Sequence, residues 1–152
     1  MYKQMLKFSI ILFITLLFNT LSFSKDEKFL TLRNEKVNLR QGPSFDYPIK
    51  IFYNKKFLPV TIMDQYGNFR KIKDHENNSG WIHISQLSKR KAAIVGDKNL
   101  IVFKNPTLYS KPLVILTKGR LCLVIKCQNQ WCKIKVDKYK GWVKQSALWG
   151  RL

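Results

Sequence analysis

Beyond residue 28 the chain alternates apolar and polar positions in short runs broken by turn residues. Leu58-Pro59-Val60-Thr61-Ile62 ends at Asp64-Gln65-Tyr66-Gly67-Asn68, and Phe69-Arg70-Lys71-Ile72-Lys73 ends at the polar stretch Asp74 to Gly80. Trp81-Ile82-His83-Ile84 follows. Period-two runs of this length, punctuated by Gly, Asn and Asp, predict β-strands joined by tight turns. Closely spaced strands of that kind suggest a small sandwich or barrel. No window here sustains a helical period, so the only helical feature expected is a short turn at Ser85 to Leu87.

The start of the chain reads differently. Lys3 and Lys7 precede an apolar run from Phe8 to Phe18, then polar residues ending in Ser22-Phe23-Ser24 before Lys25-Asp26-Glu27-Lys28. A basic start, an apolar middle and small residues at the exit form the pattern of a secretory leader, with cleavage expected after Ser24. The run is shorter than the ~20 apolar residues that span a bilayer comfortably. An uncleaved leader anchoring the protein in the inner membrane is the alternative. With no Cys near the cleavage site, a lipid anchor is not expected.

The β region repeats itself. Gly42-Pro43 answers Asn105-Pro106, and Leu58, Val60 and Ile62 answer Leu121, Leu123 and Ile125. Phe69 to Lys73 answers Trp131 to Lys135, and Gly80-Trp81-Ile82 answers Gly141-Trp142-Val143. One order of features recurring at a nearly constant offset is a duplicated unit. The predicted architecture is all-β: a signal peptide at 1–24, one small β-barrel at 29–88, a basic linker at 89–95 and a second small β-barrel at 96–152. The linker is short and poor in Gly, so the barrels are expected to pack against each other. Units this small bury a modest share of their surface, so additional cross-links are expected.

The residues carrying the duplication resemble the bacterial SH3-like (SH3b) domain, and more closely exported alphaproteobacterial proteins built of two such domains. The opening Val37-Asn38-Leu39-Arg40-Gln41-Gly42-Pro43, Tyr47-Pro48-Ile49, Leu58-Pro59-Val60 and the closing Gly80-Trp81-Ile82-His83 carry the likeness in the first copy. Cys127, Trp131-Cys132, Gly141-Trp142 and Leu148-Trp149-Gly150 carry it in the second. Lys56 and Asn105 stand where that family usually has Gly. The resemblance implies a barrel of about five strands per copy and export. Related modules elsewhere bind cell-wall peptides or direct cell-wall hydrolases, but the family implies no settled molecular function.

Charge narrows the partners. Lys and Arg total 28 against 9 acidic residues, for a formal net charge of +19. A field of that sign favours anionic partners in a salt-dependent way. Export would take nucleic acid out of reach and leave cell-wall peptides, an envelope protein or an anionic membrane surface. Lys outnumbers Arg and Asn and Ile abound, a composition that an AT-rich genome also produces without any ligand.

Candidate ligand-binding residues follow from residue type and position. Arg40 could hold a peptide carboxylate by a bidentate hydrogen bond or pin its own loop, the second role being preferred. Trp81 and Trp142 recur at one place in each copy and read first as buried rings. Trp131, Lys133 and Lys135 alternate to one strand face, away from Cys132, Ile134 and Val136, and offer a ring beside two ammoniums. Tyr47 and Tyr53 stand in or near loops with Arg70, as in aromatic peptide grooves, and His83 closes the Gly-Trp-Ile-His motif. Cys127 and Cys132 flank a turn and would pair across a hairpin as a disulfide, leaving Cys122 as a buried small residue. No cofactor or metal is implied: the cysteines lack a paired zinc spacing, and both histidines lie in the other copy. No Cys–His arrangement, nucleophile elbow or phosphate loop stands out, so the expected activity is binding rather than catalysis. An envelope adaptor that binds another protein between the barrels is the second reading.

Overall fold

Alternation along each run decides which side chains enter a barrel. The computed structural model describes residues 28–96 and 98–152; the leader expected at 1–24 lies outside them. The first copy contains β1 (Phe29–Leu32), β2 (Val37–Arg40), β3 (Ile49–Tyr53), β4 (Pro59–Tyr66), β5 (Phe69–Lys73), β6 (Ser79–His83) and β7 (Leu87–Ser88). The second contains β8 (Ala92–Val95), β9 (Leu100–Phe103), β10 (Pro112–Leu116), β11 (Leu121–Gln128), β12 (Trp131–Val136), β13 (Tyr139–Lys144) and β14 (Leu148–Arg151). Each copy is one seven-stranded antiparallel sheet, ordered β3-β2-β6-β5-β4-β1-β7 and β10-β9-β13-β12-β11-β8-β14. The two orders are the same topology, strand for strand. A single-turn 3₁₀ segment, Ile84–Gln86 or Gln145–Ala147, precedes the last strand of each copy.

Three sequence expectations need correction. Residues 92–95, assigned to the linker, form β8, are all buried and pair with β11 and β14. Ala92-Ala93-Ile94-Val95 is an uninterrupted apolar run, as a strand buried on both faces requires. Second, the turn expected to begin at Asp64 starts later, because β4 continues to Tyr66 and the register shifts between Ile62 and Asp64. The same shift recurs between Val124 and Lys126 in β11. These bulges turn Met63 and Ile125 outward and let one long strand bend around its barrel. Third, each copy has seven strand segments rather than about five. The turn lacking its usual Gly at 56 places a positive φ of 64° on Phe57.

The interiors follow the pattern. Leu32, Val37, Leu39, Val60, Ile72 and Ile82 fill the first barrel, and Val95, Val102, Cys132, Ile134 and Val143 the second. The barrels are not independent. Ile94 from β8 belongs to the first core, and Leu121 and Trp149 pack against it. Phe29 meets Trp149 edge to face at 5.1 Å, and Arg151 Nη1 donates to the Phe29 carbonyl at 2.8 Å.

Cys127 and Cys132 face each other in the β11–β12 register and form a disulfide. The hairpin they close turns at Asn129 and Gln130, which both take positive φ. Closing so short a loop restricts the unfolded chain by about 2 kcal/mol. Replacing both cysteines with Ser is expected to lower stability by at least that amount in a urea titration, with a slightly steeper slope because the released chain exposes more surface on unfolding.

Candidate functional site

One loop of the first copy carries two large side chains outside the core, Phe45 and Tyr47. Residues 41–48 connect β2 to β3, and Arg40 at the end of β2 organises them. Its Nη1 donates to the carbonyls of Phe45 (2.9 Å) and Tyr47 (2.8 Å). Gln41 N–H closes the loop base on the Pro48 carbonyl at 3.0 Å, and Ser44 donates to Asp46 at 2.7 Å. Held in this way, the loop puts Phe45 and Tyr47 in solvent, 61% and 47% exposed. The Tyr47 ring lies directly over Gly42. Phe45 is the centre of an aromatic rim: its ring is 5.2 Å from both Phe69 and His83, which are themselves 5.2 Å apart. Phe69 and His83 are register partners across β5 and β6. His83 Nδ1 faces the Ser85 hydroxyl at 2.7 Å and accepts from the Ser85 N–H, which caps the following 3₁₀ turn. Trp81, paired with Arg40 and Lys71, is half-buried on the same face.

The second copy keeps the place and changes the chemistry. Its corresponding loop, 104–111, exposes Leu108 and Tyr109, the latter fully. Phe103 stands where the first copy has Arg40, and its ring meets Trp131 at 6.0 Å. Lys144 lies 4.5 Å over the Trp131 ring from the position that His83 occupies in the first copy.

The structure therefore brings Arg40, Tyr47, Trp81 and His83 together, and separately Trp131, Lys133, Lys135 and Trp142. Arg40 keeps the role preferred for it, and several others change. Arg40 pins its loop, because two of its donor contacts end on backbone carbonyls. Arg70 alternates to the other strand face and caps its own turn through the Gly67 and Phe69 carbonyls. Tyr53 is not a ligand contact. It is 8% exposed, its hydroxyl donates to the Asp74 carboxylate at 2.8 Å, and burial, then that bond, pushes the phenol well above its ordinary range. Trp131 is not an open platform either, for Lys144 and Phe103 cover it and it is buried. Trp142 is buried beneath the Lys126 and Lys133 ammoniums rather than inside the barrel. Lys135 stays exposed. Cys122 is a buried thiol pushed up to about 12 by burial, so it stays protonated and unreactive at neutral pH.

Phe45 itself was not among the residues singled out from sequence. A large apolar residue recurs inside both turn-rich loops, as Phe45 in Gly-Pro-Ser-Phe and Leu108 in Asn-Pro-Thr-Leu, and that recurrence was the available signal.

A duplicated antiparallel barrel with an aromatic rim at its β2–β3 loop defines a tandem SH3-like protein. The chain belongs to the bacterial SH3 domain family, which matches it over residues 33–89 and 96–150. Each match begins directly after the first strand of its copy, β1 or β8. Among solved structures the chain is similar to NlpC2 from Trichomonas vaginalis at 12% identity and a TM-score of 0.38, covering 80% of this chain and 47% of that one. NlpC1 from the same organism (12%, TM-score 0.37) is covered to 45%, and an NlpC/P60 family protein from Bacillus cereus (12%, TM-score 0.37) to 55%, each over 80% of this chain. The chain thus spans about half the length of these proteins. No curated protein matches it.

Proposed function

We propose that this protein is an exported, non-catalytic binding module of the cell envelope that takes cell-wall peptide at the aromatic rim of its first copy. The observation that carries this reading is Phe45, a mostly exposed phenylalanine held still by Arg40 and backed by Phe69 and His83. A rigid exposed ring loses little freedom on binding, and an extended peptide docks well along such a surface. Trp81 stands on the same sheet face, and Tyr47 is exposed in the same loop as Phe45. Membership of the bacterial SH3 domain family supports a coarse role in holding envelope material. The strong positive charge draws the carboxylates of cell-wall peptides towards the protein, and Arg40 acts by holding the loop rather than by gripping the ligand.

Co-sedimentation with isolated peptidoglycan tests the reading. The protein is expected to pellet with the wall material at low salt and less at high salt. Phe45→Ala is expected to weaken binding about tenfold or more, as for an anchor ring, while the melting temperature falls by only a few degrees because the side chain is mostly exposed. No pelleting at any salt, or full binding by Phe45→Ala, rejects the rim as the site.

A further inference from the structure

On the outer face of the second barrel, lysines sit opposite lysines. Lys126 pairs with Lys133 across β11 and β12, and Lys135 pairs with Lys140 across β12 and β13. Lys133 is in turn opposite Trp142, and Lys144 opposite Trp131, so all five lysines project from one side of three adjacent strands. The Lys126 and Lys133 ammoniums stand 5.6 and 6.0 Å from the Trp142 ring. None of the five forms an ion pair among the described residues. Lys135 also lines a groove of about 410 Å³ with Lys89, Arg90 and Lys91, so the cationic face continues onto the segment joining the barrels.

Like charges directly across a strand pair destabilise a sheet. The indole faces offset part of that repulsion. The first copy shows the arrangement without it: Asp64 is opposite Lys71, Ser79 opposite Lys73 and His83 opposite Phe69, in the places held by Lys126, Lys140 and Lys144. The same strands in the same fold therefore concentrate charge in one copy only.

We propose that the β11–β12–β13 face of the second barrel, with residues 89–91, docks on the phosphate groups of an anionic lipid bilayer. A broad sheet face with cations spread in two dimensions complements a planar array of phosphates better than it complements one small anion. Ammoniums act there as point charges and need no fixed bidentate geometry. The exposed Ile125 beside Lys126 adds an apolar contact at the edge of the face. This site shares no residue with the aromatic rim, and its success or failure is read separately.

The experiment measures flotation of the whole protein with phosphatidylcholine vesicles, with and without phosphatidylglycerol. Three proteins are compared: the parent, Lys126→Gln/Lys133→Gln/Lys140→Gln, and a charge-matched control in the first copy, Lys36→Gln/Lys71→Gln/Lys73→Gln. Partition onto phosphatidylglycerol vesicles is expected to fall roughly 100-fold for the first triple, at about fivefold for each cation beside the surface. The control removes the same charge outside this face, where salt screens its attraction to the bilayer, so it is expected to change only a few-fold. Removing the like-charge pairs is also expected to raise the melting temperature of the first triple in lipid-free buffer. Equal loss in both triples makes the effect one of total charge and overturns the proposal. Binding to soluble polyphosphate with none to vesicles overturns the bilayer as partner. A melting temperature that falls in the first triple overturns the electrostatic argument.

Discussion

Asp74→Ala is expected to lower the melting temperature by roughly 10 °C, the largest loss from any single polar side chain outside the seam between the copies. Asp74 directly follows β5 and is 2% exposed, yet among the described residues it has no cationic partner. Its carboxylate instead accepts from the Tyr53 hydroxyl (2.8 Å), the Glu76 N–H (2.9 Å), the Asn78 N–H (2.8 Å) and the Asn78 side-chain amide (2.9 Å). Hydrogen bonds to a charged group contribute about 1.5–3 kcal/mol each, and deletion leaves a buried tyrosine hydroxyl without its acceptor. A net loss of about 3 kcal/mol follows, which for a chain of this size corresponds to the stated shift. The second copy supplies the control. In its equivalent places it has Leu116 and Val136, both buried, where the first has Tyr53 and Asp74. Tyr53→Leu/Asp74→Val is therefore expected to cost clearly less than the sum of its two single changes, with a coupling of about 2 kcal/mol. Additive losses would show that the two side chains do not act as a pair. The buried phenol also sets a pH limit. Its proton is held more tightly folded than unfolded, so its contribution is complete below about pH 10 and is lost as the pH rises further.

The polar pair shows why parts of this molecule were hidden in its sequence. Strand periods, the duplication and the Cys127–Cys132 hairpin are local or repeat at a constant offset, so they are visible in one dimension. Tyr53 ends β3 and Asp74 directly follows β5, strands that are not neighbours in the sheet, and nothing local distinguishes a buried Asp from the first residue of a polar turn. Trp131 misled for a related reason. Alternation correctly put it on the outer face, but the Lys144 stem and the Phe103 ring come from β13 and β9 and cover it there. Arg40 illustrates the opposite case. Its position just before a Gly-Pro turn was enough to expect a loop-pinning role, and its contacts are to carbonyls five and seven residues ahead. Residues 92–95 read as linker because Ala92-Ala93 is too small a pair of side chains to announce a strand.

That seam supplies the second large effect: Gly150→Ala is expected to destabilise the protein by about 3 kcal/mol. Gly150 has φ 146°, a backbone conformation that side chains resist. It sits opposite Ala93 in the β14–β8 register. A Cβ there would lie 2.5 Å from the Ala92 carbonyl oxygen, 2.8 Å from the Ala93 Cα and 3.1 Å from Pro59 in the first copy. Two of those atoms are backbone and cannot turn aside, so β14 must move away from β8, β4 or both. Overpacking of this kind costs about 1–3 kcal/mol, and the unfavourable φ adds about as much again. The matched control is Gly67→Ala, which has a positive φ of 49° and open space around it, and should cost about 1 kcal/mol. Hydrogen exchange discriminates further. Because Ile94, Leu121 and Trp149 complete the first core, protection in Gly150→Ala should fall in β1 and β4 of the first copy as well as in β8 and β14. Exchange confined to the second copy would mean that each barrel closes alone. A unit of this size buries too little surface to be comfortably stable by itself, so duplication with a shared core is the physical route by which two marginal barrels become one cooperative protein.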